Sequence, residues 1–344
     1  MTGVLKLLRS QVMGPLLAFL LVMLIVSLTT TRFLQPQNLS NVSLQVSSVA
    51  IAAVGATLVI LTGGIDLTPG AVVALTACTG AILIRNQHIP VPIAVLLLLG
   101  LGALIGLIGG FLSTYGRIPS FIATLALMGI IRGIAFLITG GTPIMSVSED
   151  LEPLFYGNLA GIPLPLIYVL LLYSLVFILL RYTRTGRAIY AVGGNESAAR
   201  LSGIAVERTR LLTFVIAGMT SALAGILTMA RLNSGSPNYG VGTELQAIAA
   251  AVIGGASLAG GHGNIISTLL GALTVQVVQN GLNLNTVPAS WQDITLGGII
   301  ILAVGLDMWR SSISHVASRI SALVVPKRPV ANPTPEPTQP ITKS

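Results

Sequence analysis

Apolar stretches long enough to cross a bilayer dominate this chain and constrain it more than any motif does. Scanning for runs of about 17–25 residues with few charges finds ten, at roughly 13–31, 44–62, 68–84, 91–114, 120–140, 162–180, 211–231, 244–261, 264–283 and 290–309. Only 8% of the 344 residues are charged, against about 25% in a water-soluble domain. So few charges cannot cover a 35.5 kDa globule whose mean hydropathy is +0.89. The apolar side chains must face lipid. The sequence predicts an all-α, polytopic membrane protein with about ten transmembrane helices. The second, third and eighth stretches are rich in Gly, Ser and Thr, which predicts that some are broken or re-entrant.

The net charge of +8 does not point to nucleic acid, because the basic residues are not interleaved with aromatics, which make up 5% of the chain. The basic residues are instead sorted by side. With alternating spans, Lys6, Arg9, Arg117, the arginines of 181–210 and the basic residues after 309 fall on one side. Arg32, Arg85 and Arg231 fall on the other, together with the acidic segment 141–161 that carries Glu149, Asp150 and Glu152. Lys and Arg concentrate on the cytoplasmic side, so both termini are expected there. The run from Val12 is too long for a signal-peptide core and predicts a retained first helix. The expected organisation is a cytoplasmic N-terminus at 1–12, a membrane domain at 13–309 with a cytoplasmic loop at 181–210, and a Pro-rich disordered tail at 310–344.

Catalytic and metal chemistry have little to work with. Cys78 is the single cysteine, and His88, His262 and His315 are far apart, so no disulfide, metal site, catalytic group or cofactor is expected. A phosphate-binding P-loop needs Lys after a Gly-rich turn. Lys6, Lys327 and Lys343 do not follow a glycine, so any ATP must be hydrolysed on another subunit.

The most informative hydrophilic stretch is 181–210. Asn195 suits an N-cap, Glu196 suits the positive end of the helix dipole, and Arg200 lies four residues on, where it can pair with Glu196. Gly203 suits a left-handed stop. These signals predict a two-turn helix over 196–202, too short to persist alone. It must dock, on its own chain or on a partner.

Four strings carry a resemblance: TLVILTGGIDLTPGAVVALT at 57–76, GRIPSFIATLALMGIIRGIAFLITGG at 116–141, GRAIYAVGGNESAARLSGIAV at 186–206, and ARLNSGSPNYGVGTELQAIAAAVIGGASLAGGHGNI at 230–265. Together they resemble the ribose-type permease family of bacterial ABC importers. The resemblance implies an inner-membrane subunit that moves a monosaccharide, a ribose-like pentose or a hexose. It implies as partners an ATP-binding cassette ATPase, a second permease subunit (identical or paralogous), a periplasmic sugar-binding protein and membrane lipid. By the same resemblance, Gly193, Gly194, Asn195, Glu196, Ala199, Arg200 and Gly203 would couple the chain to the ATPase. The chain departs from the family at Gln246, where Asp is frequent, and at Ser267, where Gly is common.

Asp66, Arg132 and Glu244 are the candidates for a translocation path or gate. Each has a plainer reading. Asp66 suits capping the helix that starts near Thr68. Arg132, inside a span, suits bonding to carbonyls at a broken helix. Glu244, like Asp293 and Asp307, stands at a segment end, where an interfacial position is expected. Gly102, Gly106 and Gly110 form one helical stripe that predicts close helix packing. The pattern GGxxLxxG occurs at 63–70 and again at 254–261, by duplication or by chance. The alternative function is an ion-coupled secondary transporter, which would be expected to place carboxylates or histidines mid-membrane.

Overall fold

The computed structural model describes residues 12–305. The predicted N-terminal segment before Val12 and the Pro-rich tail, with Asp307 and His315, lie outside the described residues. The chain divides into two compact units at Val304, and the helical bundle is the first of them.

The first half comprises α1 (Met13–Thr29), α2 (Pro36–Leu61), α3 (Pro69–Ala81, extended by a π turn over Ile82–Asn86), α4 (Val91–Thr114) and α5 (Ser120–Thr139). A polar connection comes next, with β1 (Ile144–Met145), α6 (Leu151–Tyr156), β2 (Asn158–Leu159) and β3 (Ile162–Pro163). The second half comprises α7 (Leu164–Tyr182), α8 (Arg184–Gly194), α9 (Glu196–Leu201), α10 (Val206–Leu232), β4 (Ser234–Gly235), α11 (Thr243–Ile253) and α12 (Ile265–Leu284). A last apolar helix, α13, spans Ala289–Gly305. Proline at the first turn starts α2, α3, α4 and α7, where its missing N–H costs nothing.

The architecture is all-α and polytopic, as the apolar runs predict. Seven helices among the described residues are long and apolar enough to span a membrane: α2, α3 with its π turn, α4, α5, α7, α10 and α12. The other three predicted stretches fall on shorter helices, so length and composition do not reach ten. The eighth stretch departs furthest from its prediction. Only Thr243–Ile253 is helical, because the glycines beyond it turn the chain, with φ +84° at Gly255, +89° at Gly260 and +71° at Gly261.

Helix α10 is the centre of the packing and touches α2, α3 and α4. The predicted glycine stripe is the reason α4 comes so close. A Cβ on Gly102 would overlap the Gly218 carbonyl oxygen, and one on Gly106 would overlap that of Phe214. Backbone contact of this kind replaces the hydrophobic drive that lipid removes. The outer faces of α4, α5 and α7 carry exposed Leu96, Leu137, Leu171 and Leu175, as a lipid-facing surface requires. At one end of the bundle, which carries the acidic connection, β1 pairs antiparallel with β4, Ile144 opposite Gly235. The 181–210 insert lies at the other end.

Candidate translocation site and coupling surface

Two pieces of non-helical backbone enter the bundle from opposite ends. Residues 62–68 run from the insert end up to α3. Residues 236–242 run from the acidic end down to α11. Helix α10 serves as a ruler. Val73 and Thr76 lie against Gly225, about two turns from the acidic end of that helix. Gly70, one turn lower on α3, is therefore near the middle of the bundle. There the two pieces meet. A Cβ on Gly70 would overlap the carbonyl oxygen of Gly240, and one on Gly240 would overlap that of Gly70.

Unwound backbone inside a membrane protein needs partners, and α5 supplies them to both pieces. Ser120 Oγ accepts from the Ile65 amide at 3.0 Å, and Thr124 Oγ1 donates to the Ile65 carbonyl at 3.3 Å. Three turns further along α5, Arg132 Nη1 donates to the carbonyls of Pro237 at 3.1 Å and Tyr239 at 3.4 Å. The plainer reading of Arg132 is thus what the structure shows. Asp66 Oδ1 accepts from the amide and hydroxyl of Thr68, at 2.9 and 2.7 Å. It holds the turn that starts α3.

Glu244 departs from its expected interfacial position. Because α11 begins beside Gly70, its first turn is inside the bundle. The Glu244 carboxylate abuts Gly70 at the start of α3, where a helix dipole favours an anion. Its Oε2 is buried, with no hydrogen-bond partner among the described residues.

Above the crossing, toward the acidic end, lies a polar cavity of about 330 Å³ between α2, α10, α11 and α12. Gln45, Asn238, Gln246, Gln276 and Gln279 line it. Gln276 Nε2 donates to Gln45 Oε1 at 2.8 Å. The side-chain amides of Asn238, Gln246 and Gln279 make no hydrogen bond among the described residues. Each free amide can both donate and accept, which suits a small ligand rich in hydroxyls. Arg231 lines this cavity and also a neighbouring one of about 380 Å³ that holds Glu149 and Glu152.

At the insert end the predicted short helix is present. Asn195 Oδ1 accepts from the Ala198 amide at 2.9 Å, and Gly203 takes φ +80°. Arg200 pairs with Glu196 at 3.3 Å and with Glu207 at 2.6 Å. Glu207, and after it Glu196, hold the Arg200 guanidinium above its ordinary pKa by hydrogen bonding. Arg210 pairs with Glu196 at 2.8 Å, and its Nε donates to the Thr62 carbonyl at 3.4 Å. Glu196 is thereby connected to the first residue of the 62–68 segment. Gly193 makes a second connection. A Cβ there would overlap the Leu61 carbonyl oxygen and lie 2.5 Å from the Gly261 nitrogen. Gly261 N itself donates to Leu61 O at 2.9 Å. Helices α8 and α9 therefore rest on the turns that come after α2 and before α12.

The family model for the permease component of branched-chain amino acid transport systems matches residues 38–304. The chain belongs to this permease family. Among its relatives, the ribose import permease RbsC of Escherichia coli K12 is 42% identical over 296 residues, covering 85% of this chain and 92% of the relative. The ribose import permease RbsC of Bacillus subtilis is 42% identical over 304 residues, covering 88% and 94%. The D-allose permease AlsC of Escherichia coli K12 is 37% identical over 281 residues, covering 82% and 86%. This is a ribose-type ABC permease, a multi-pass inner-membrane protein. No solved structure matches it.

The structure gathers the insert residues of this permease at one end but points them in different directions. Gly194, Asn195, Glu196, Arg200 and Gly203 are exposed. Ala199 is buried against Val192 and Val206, and Gly193 is wedged under the bundle. Sequence reading passed over Leu201, which is 90% exposed at the end of α9. A large apolar residue on a polar surface helix was its available signal. It also passed over Arg210 and Glu207, and over the cavity amides other than Gln246, which stood out only as a departure from the family. The amides come together only through packing.

Proposed function

We propose that this permease imports a monosaccharide, driven by separate ATP-binding cassette subunits that grip α9. Two copies, or a copy and a paralogue, enclose the path. The insert end and both chain termini face the cytoplasm, and a sugar-binding protein delivers substrate at the acidic end. The names of the ribose and allose permeases support a sugar cargo, and the amide-lined cavity has the size and chemistry for one. The carrying observation is the seat of Gly193 between Leu61 and Gly261. A pull on α9 reaches the turns that lead toward both broken helices through α8, which joins it at Asn195. Leu201 offers the apolar anchor for the partner, and Gly194, Asn195, Glu196, Arg200 and Gly203 form the surrounding contact. Asp66, Arg132 and Glu244 hold the crossing that must rearrange for sugar to pass.

The test is reconstitution of the full chain with its ATPase and binding protein in vesicles. Leu201→Asp should leave the thermal midpoint unchanged while ATPase recovery and ATP-driven ribose uptake both fall. Wild-type uptake that ignores ATP and collapses with the proton gradient would overturn the reading in favour of ion-coupled transport.

A further inference from the structure

A cavity of about 750 Å³ lies at the insert end, with Gly261 of the Gly193 seat at one edge. Arg181, Arg187 and His262 line it, over an apolar floor of Phe177 and Leu180. Its construction comes from the chain. Helix α7 ends at Tyr182. Thr183, extended at φ −103°, caps α8 by accepting from the Gly186 amide at 3.1 Å. Helix α8 then buries Ile189 and Val192 and leaves Arg184 and Arg187 exposed. Tyr190 closes one wall by donating to the Gly263 carbonyl at 2.9 Å.

The charge here is unbalanced. The insert has two acidic residues, Glu196 and Glu207, and both are committed to Arg200 and Arg210. Neither Arg181 nor Arg187 has a carboxylate partner among the described residues. Two free guanidiniums facing one cavity suit a phosphate, which accepts their paired N–H groups. On another face of α7, Leu175 and Ile178 are exposed, as a lipid-facing surface requires. Tyr182 is 69% exposed beside Arg181, a combination that suits the membrane–water interface. A soluble anion would gain nothing from that floor, whereas a lipid bearing acyl chains would.

We infer that this cavity binds the phosphate of an anionic phospholipid headgroup, with Arg181 and Arg187 on the phosphate and the first acyl carbons over Phe177 and Leu180. Basic pockets at the ends of membrane helices hold headgroups in this way. The inference requires only that the chain sits in a membrane and is independent of the cargo.

The experiment is native mass spectrometry of the full chain in neutral detergent, titrated with phosphatidylglycerol. Wild type should retain the lipid against phosphatidylcholine. Arg181→Gln with Arg187→Gln should bind phosphatidylglycerol about tenfold or more weakly. Arg208→Gln, an exposed arginine outside the cavity, should bind as wild type. A phosphatidylglycerol with a photoreactive headgroup, applied to wild type, should label 177–190 or 261–265, which keeps the test open if the double variant misfolds. Equal binding by a folded double variant, labelling only elsewhere, or displacement of the lipid by inorganic phosphate would each overturn the inference.

Discussion

Gly70 and Gly240 are in reciprocal backbone contact, each occupying the space that a Cβ on the other would need. One begins a helix that runs to the acidic end, and the other precedes a helix that runs to the insert end. Gly240 also takes φ +70°, a conformation that alanine adopts only with strain. Gly70→Ala or Gly240→Ala should lower the thermal midpoint, by about 1–3 kcal/mol of overpacking, and abolish uptake. Gly100→Ala, with open space around it, should do neither. Differential scanning fluorimetry and vesicle uptake would check both.

The adjacent glycines of the insert should behave differently. A methyl at Gly193 would overlap the Leu61 carbonyl oxygen, whereas nothing lies within 4 Å of one at Gly194. Gly193→Ala should cut ATP-driven uptake at least about tenfold, since the turn after α2 cannot move aside without strain. Gly194→Ala should retain uptake. Equal effects from the two would show that the seat of α8 is unimportant.

Arg132 donates to two carbonyls of the 236–242 segment. Arg132→Met removes both donors and leaves half-buried carbonyls without them. Hydrogen bonds to charged groups contribute about 1.5–3 kcal/mol, so the thermal midpoint should fall. Hydrogen exchange at 238–242 should rise more than exchange at 63–68, which Ser120 and Thr124 hold.

Asn195→Ala removes the bond to the Ala198 amide. Loss of a cap costs about 1 kcal/mol, too little to unfold the bundle but enough to fray a six-residue helix. The measurement is the concentration of ATPase that gives half-maximal stimulation in vesicles, which should rise while the thermal midpoint stays within error. An unchanged requirement would separate α9 from the ATPase contact.

Cys78 is 0% exposed inside α3. In folded protein it should resist a membrane-permeable maleimide and react only on denaturation. Rapid labelling of the native chain would contradict the packing of α3 against α10.

The membrane architecture was legible because hydropathy is a property of local composition. The α9 helix was legible because its cap, ion pair and glycine stop lie within nine residues of sequence. The glycine stripe at Gly102, Gly106 and Gly110 announced a close contact without naming the surface it meets. Asp66 is expected to cap the helix that starts near Thr68, but the N-cap is Thr68 itself, without a side-chain cap bond, and Asp66 closes the turn before it. Glu244 was misplaced because hydropathy does not reveal that a stretch begins halfway through the bundle. Gly254–Gly261 was read as part of a span, although its glycines turn the chain at the insert end.

By itself the sequence determined the all-α membrane class, the absence of a P-loop, the capped helix at the insert end and the separation of basic from acidic connections. Each depends on residues close together in the chain. Only the tertiary structure decided that Gly70 meets Gly240, that α5 fastens both unwound segments, that Gly193 sits beneath Leu61, and that Asn238, Gln246 and Gln279 share a cavity. These contacts join residues far apart in sequence, through side chains of ordinary polarity. In lipid they are selected by shape and by the need to satisfy every buried backbone group, and that need is known only when the helices are in place.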